Sequence, residues 1–109
     1  MNMMQIIQGT TPTIVATVKS DIELSTVTEL WFYISQSNRV IVDKTLEDVT
    51  IDTEEKTISC TLTQQDTLNL KPGGALLQIR VLLNNEQALA TVATKIAVIK
   101  AYKGGVISE

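Results

Sequence analysis

The sequence predicts an all-β domain, a sandwich of seven to nine strands, and three observations carry that expectation. Apolar residues recur at every second position, the period of a strand with one face buried. The connections between the alternating stretches are short and polar: SQSN (35–38), DTEE (52–55) and NNEQ (84–87). Connections of this length join antiparallel neighbours, whereas parallel crossovers need a dozen residues or more. No 11-residue window repeats at the helical period. About eight such strands in 109 residues suit a sandwich or a small barrel.

The elements follow in order. A first strand is expected near 3–8. In TIVATVK (13–19), Ile14, Ala16 and Val18 share one face. ELWFYIS (29–35) places Leu30, Phe32 and Ile34 on one side and Trp31 and Tyr33 on the other, because the pleat alternates successive side chains. Strands near 39–43 and 47–52 come next, and then KTISCTL (56–62), with Ile58, Cys60 and Leu62 together. TLTQQDTLNLKPGG (61–74) carries a lysine, a proline and two glycines after a polar run, which raises the question of a phosphate-binding loop. Such a loop needs its lysine after the last glycine and a full helix beyond, and here the order is reversed. Thr63 and Asp66 instead have capping-box spacing, which predicts one helical turn near 64–68, with Leu68 and Leu70 under the sandwich edge. Pro72-Gly73-Gly74 turns the chain back into a strand near 75–84, and a last strand is expected over 88–100. The domain is expected over 1–100, with 101–109 as a flexible tail; Gly104-Gly105 favour fraying there, although such an arm could add a strand to a neighbour.

Composition narrows the function. Apolar residues make up 44% and charged residues 19% of the chain, a globular balance in a length that fits one domain. A net charge of −3, with nine dispersed basic residues, argues against nucleic acid and anionic membranes as partners. No segment reads as a membrane helix, and MNMMQIIQG does not read as a secretory signal. The single cysteine, Cys60, allows no internal disulfide and fits a reducing compartment. The chain has no histidine, which removes the commonest general base and a common zinc ligand. Cys60 lies mid-strand between apolar neighbours, as a core residue rather than an exposed nucleophile. No G-x-S-x-G elbow occurs. The expectation is therefore a protein without enzymatic activity, cofactor or metal. Asp43, Glu47, Asp48, Asp52, Glu54 and Glu55 form an acidic stretch that reads as a solvated hairpin, with a weak cation site as the alternative.

Two features point to contact with another protein. Outward-facing Trp31 and Tyr33 either lie beneath a loop or serve as anchors for a partner. The last two strands look apolar on both faces: Leu77, Ile79, Val81 and Leu83 against Leu76 and Leu82, then Val92, Ile96 and Val98 against Ala93, Ala97 and Ile99. Such strands are either central between layers or covered by another subunit. Trp31, Tyr33, Leu76, Leu82 and Ile99 are thus the interface candidates, and a homo-oligomer or a docking surface is expected.

Several fragments together also carry a family likeness: IIQGTTPTIVATV, DIELSTVTELWFYIS, KTLEDVTID, KTISCTLTQQDTLNLKPGG and LLQIRVLLNNEQALATVATKIAVI. Leu62-Thr63-Gln64 followed by Asp66-Thr67-Leu68, the Pro72-Gly73 turn and Gln78-Ile79-Arg80 resemble small β-sandwich proteins of tailed phages and prophages. Asp21, Leu24, Ser25, Phe32 and Ile34 resemble the N-terminal immunoglobulin-like module of phage baseplate proteins. The resemblance implies an immunoglobulin-like sandwich with Greek-key connections. It also implies a virion-associated structural protein of the baseplate, tail or head, located in the virion or host cytoplasm, whose partners are other virion proteins or itself. A carbohydrate- or host-surface-binding module on the same fold is the alternative, since Trp31 and Tyr33 could also serve a glycan.

Overall fold

The computed structural model describes residues 4–18, 22–91 and 93–107. Met3, Lys19, Asp21, Val92, Ser108 and Glu109, which enter the expectations above, lie outside these residues. Among the described residues the strands are β1 (Met4–Ile7), β2 (Thr13–Thr17), β3 (Val27–Gln36), β4 (Arg39–Thr45), β5 (Thr50–Asp52), β6 (Thr57–Thr61), β7 (Gly73–Leu83), β8 (Ala88–Ala90) and β9 (Thr94–Ile99). The larger sheet runs β1-β9-β7-β3-β4, with β8 also on β7, and the smaller runs β2-β6-β5. Among the described residues β1 and β9 pair in parallel and the other strand pairs are antiparallel. The chain changes sheet between β1 and β2, β2 and β3, β4 and β5, and β6 and β7, the interleaving of a Greek-key sandwich.

The core lies between the inner faces and follows the alternation in the sequence. Leu30, Phe32 and Ile34 of β3 are buried, as are Leu77 and Ile79 of β7 and Ile96 and Val98 of β9. Ile14, Ile58, Cys60 and Leu62 close the core from the smaller sheet. The three short connections are hairpins. Ser37 and Asn38 both have positive φ (50° and 65°), the two-residue turn whose twist matches its flanking strands. At the β7–β8 hairpin the Glu86 amide donates to the Leu83 carbonyl at 3.0 Å, and Glu86 takes φ 67°.

One helical turn, α1 (Gln64–Leu68), occupies the expected place. The Asp66 amide donates to Thr63 Oγ1 at 3.0 Å and the Thr63 amide donates to Asp66 Oδ2 at 2.9 Å, completing the box. Leu70 is fully buried beneath it. Gly73 then enters β7 with φ 126°, a conformation that side chains rarely adopt.

Three strand expectations need correction. The stretch 47–52 begins as a 3-10 turn, Leu46–Asp48, because Thr45 and Asp48 form a second capping box, and only Thr50–Asp52 pairs as a strand. Strand β4 runs to Thr45 and carries a bulge: Ile34 faces Val42 while Ser35 faces Val40, so Ile41 is the extra residue. The expected strand 88–100 is broken. Arg80 pairs with Ala90, but Leu77 pairs with Thr94, a slip of one residue. At the slip, the Ile79 amide donates to Thr91 Oγ1 (3.0 Å) instead of to a backbone carbonyl, and the Gln78 side-chain amide donates to the Thr91 carbonyl (2.9 Å). A one-residue slip exchanges the faces. Even-numbered Ala88 and Ala90 pair with outward Leu82 and Arg80, whereas even-numbered Ile96 and Val98 are buried. The slip therefore lets odd-numbered Leu89 and even-numbered Ile96 and Val98 face the same side, while Ile99, within β9, stays on the outer face.

Candidate interaction surface

The pleat fixes which side chains reach the outer face of the larger sheet, and the register sets them in rows. Thr45, Trp31, Arg80 and Ala90 form one row across β4, β3, β7 and β8. Asp43, Tyr33 and Gln78 form the next, and Val40, Ser35, Leu76 and Lys95 the one after it. Toward the β1 edge, Ile99 pairs with Ile7.

All five candidates lie on this face, in two kinds of environment. Trp31 is 51% exposed, and Leu76 and Ile99 are each 42% exposed. Ile7 and Val40 on the same face are also exposed. The Arg80 guanidinium sits 5.1 Å from the Trp31 ring centroid, so it covers part of the indole. Tyr33 and Leu82 are only half-buried. The Tyr33 hydroxyl donates to Gln78 Oε1 at 2.6 Å, which ties it to its own sheet rather than leaving it free as an anchor. Leu82 lies in a shallow depression of about 300 Å³ lined by Glu29, Trp31, Arg80 and Ala88.

Three other groups singled out by the sequence make contacts within the fold. Cys60 is buried, and burial pushes its thiol up despite the nearby Lys44 charge, so the thiol is a protonated core side chain. Asp52 Oδ1 accepts the amides of Glu54 and Glu55, both at 3.0 Å, so its carboxylate holds the hairpin turn. In the tail, Gln64 grips Ile107 through both backbone groups: the Ile107 amide donates to Oε1 (2.7 Å), and Nε2 donates to the Ile107 carbonyl (3.1 Å).

The clearest polar feature that sequence reasoning missed is the ion pair between Lys44 Nζ and Asp66 Oδ2 at 2.8 Å. Lys44 stands opposite Phe32 on the inner side of β4, at the rim, and reaches across to the α1 cap. Burial would raise the Asp66 carboxyl, but the hydrogen bonds from Lys44 and Thr63 outweigh it and hold the group below the usual carboxylate range. The same bond to Asp66 holds Lys44 above the ordinary lysine range against its partial burial. Thr67, fully buried, works at the same end of the sandwich. Its hydroxyl donates to the Thr10 carbonyl and accepts the Gly9 amide, both at 2.9 Å, pinning the β1–β2 connection to α1. No local signal marks these contacts, because their partners are far apart in the chain. The Thr45-x-x-Asp48 spacing, by contrast, is a legible sign of the 46–48 turn.

No protein-family model matches this chain, and no curated protein matches it. Among solved structures it is similar to the fibronectin(III)-like modules of CbhA from Clostridium thermocellum, with a TM-score of 0.51 and 20% identity over 90% of this chain and 86% of that one. At this identity the likeness concerns the fold: this chain is a two-sheet β-sandwich with a fibronectin III-like structural neighbour.

Proposed function

We propose that this protein is a non-enzymatic structural module that works by protein–protein contact through the outer face of its larger sheet, with Trp31 as the principal anchor. The observation that carries the reading is the shared orientation of Trp31, Leu76, Ile99, Val40 and Ile7 on that face, each more than two-fifths exposed. A folded chain usually keeps large apolar side chains from gathering on one uncovered face, and Trp and Arg are among the residues most enriched at interface hot spots. Tyr33 and Leu82 would support the anchor from beneath, and Leu76 and Ile99 would extend the contact toward the β1 edge. The partners are other virion proteins or further copies of this chain, and the setting is a phage or prophage particle, or the host cytoplasm during its assembly. The virion setting rests on the resemblance of the Leu62–Leu68, Pro72-Gly73 and Gln78–Arg80 motifs to phage β-sandwich proteins; the structural neighbour is silent on it.

The test is co-sedimentation with particles pelleted from an induced producing culture. Wild type is expected in the pellet at a fixed number of copies per particle, and Trp31→Ser with Leu76→Ser is expected to remain in the supernatant. Absence of the wild-type chain from the particles would remove the virion setting. Equal pelleting of the double variant would remove this face as the contact.

A second reading is favoured by the depression beside Trp31, where Glu29 and Arg80 offer hydrogen-bonding groups next to an indole. An indole beside polar groups can also stack a sugar, which would make the module a carbohydrate or host-surface binder. Glycan-array binding that is lost in a folded Trp31→Ser variant would favour this reading over a protein contact.

A further inference from the structure

We propose that β2 is a self-complementary edge, through which two copies of this chain pair antiparallel about a twofold axis at Val15. This surface is separate from the outer face invoked above, and the inference goes beyond that reading. Among the described residues, β2 in the smaller sheet has β6 on one side and no strand on the other.

The direction of its backbone groups follows from the ladder. The Val18 amide donates to the Lys56 carbonyl (2.8 Å) and the Leu62 amide to the Pro12 carbonyl (2.9 Å), which marks the even-numbered residues of this strand as the hydrogen-bonded pairs with β6. Ile14 and Ala16 thus point their N–H and C=O groups inward along the sheet. Thr13, Val15 and Thr17 point theirs at the open edge. The 2.7 Å contact between the Thr13 and Thr61 hydroxyls agrees, because side chains approach more closely in the non-hydrogen-bonded pairs.

Among the described edge strands β2 is the longest that has neither a bulge nor a charge; β8 has only three residues. Strand β4 is bulged and carries Arg39, Asp43 and Lys44, β5 has only three residues and ends in Asp52, and β1 has four. Short length, bulges and charge are the usual protections of a sheet edge. Strand β2 has five residues, TIVAT, with regular pairing and no charge, and Val15 at its centre is 57% exposed.

The occupant follows from the residue order. A twofold axis through Val15 sets Thr13 opposite Thr17 of the second copy, Val15 opposite Val15, and Thr17 opposite Thr13. These are the residues whose amides and carbonyls face the edge, so each such group finds a partner. A register displaced by one residue would oppose outward-pointing groups to inward-pointing ones and lose the ladder. The same pairing covers both Val15 side chains with each other and brings threonine against threonine on either side. It is an isologous contact that closes at two copies and joins the two smaller sheets into one. A contact of five residues per copy is below the size of a permanent interface, so the dimer is expected to be weak and to need high protein concentration.

Sedimentation equilibrium of the full chain at several hundred micromolar tests this directly. Wild type is expected to populate twice the 11.9 kDa monomer mass. Val15→Lys opposes two like charges at the axis and should weaken dimerisation by about tenfold or more, with circular dichroism and cooperative melting unchanged. A second pair of variants reads the register. Thr13→Lys with Thr17→Lys sets lysine against lysine in both symmetry-related pairs and should be monomeric. Thr13→Glu with Thr17→Lys sets opposite charges together and should remain dimeric. A monomeric wild type would overturn the proposal, as would equal masses for the two double variants. A dimer lost in Trp31→Ser but kept in Val15→Lys would overturn it in favour of the outer-face contact.

Discussion

The two sheets contribute similar inner faces and very different outer ones. Inside, both are aliphatic: Leu30, Phe32, Ile34, Leu77 and Ile79 meet Ile14, Ile58, Cys60 and Leu62. Outside, the smaller sheet shows mostly hydroxyls, with Thr13, Thr17, Thr57, Ser59, Thr61 and Thr50 around the single apolar Val15. The larger sheet shows Trp31, Val40, Leu76, Ile99 and Ile7. A threonine face suits a strand that has to be soluble, since its branched side chain favours the strand while its hydroxyl stays hydrated. Burial therefore explains the inner faces of both sheets alike, whereas the difference between the outer faces is what supports the larger sheet as the proposed contact surface.

The sharpest way to test this comparison is to substitute neighbours on opposite faces of β3. Phe32 is 0% exposed, so Phe32→Ala should destabilise the fold by about 3–5 kcal/mol in chemical denaturation. Trp31→Ser, one position away, should cost no more than ~1 kcal/mol, mainly the lost stacking with Arg80. Similar losses for the two would mean that the outer face is also part of the folding core.

The next largest effect is expected where the sheets are joined. Thr67→Val keeps the shape but removes the hydroxyl that serves Gly9 and Thr10, and it should cost roughly 1–3 kcal/mol. A change near zero in the denaturation midpoint would show that this joint is dispensable.

Asp66→Asn tests the neighbouring ion pair at the same end of the sandwich and adds a pH signature. The carboxyl is held low in the folded state, so its contribution is present above about pH 4 and is lost as pH falls through the depressed folded value. Lys44 is held high, so its contribution is present below the ordinary lysine value and is lost as pH rises through the raised one. The variant should be about 1 kcal/mol less stable at neutral pH, with the gap closing toward both extremes. A gap independent of pH would mean that the pair contributes by shape and not by charge.

The smallest effect concerns the hairpin at one end of the larger sheet. Glu86 sits at φ 67° without being glycine, and Glu86→Gly should raise stability by about 0.5–1 kcal/mol, measurable as a higher melting temperature. A lower melting temperature would show that the Glu86 side chain has a role its exposed position does not suggest.

Much of this molecule is determined locally. Alternation set the inward residues of β2, β3, β6 and β7, since a strand with one buried face has only one way to place them. Thr63-x-x-Asp66 set the helical turn, because a cap is completed within four residues. The sequence reading failed where one residue breaks the period. The Ile41 bulge and the slip between Ala90 and Thr94 each reverse the alternation, and whether a strand slips depends on what lies across from it. Thr91 reads locally as one more strand residue; only the Ile79 amide opposite makes its hydroxyl a ladder partner.

The sequence by itself thus determined the sandwich and most of its inner faces, because periodicity and capping act over a few neighbouring residues. Tertiary structure alone decided that Lys44 would find Asp66, that Thr67 would bind the β1–β2 connection, and that Tyr33 would be tied to Gln78 while Trp31 stayed exposed. These partners lie from 22 to 58 positions apart, as 66 minus 44 and 67 minus 9 give. Contacts across such separations are set by strand order and register, which no short window of residues contains.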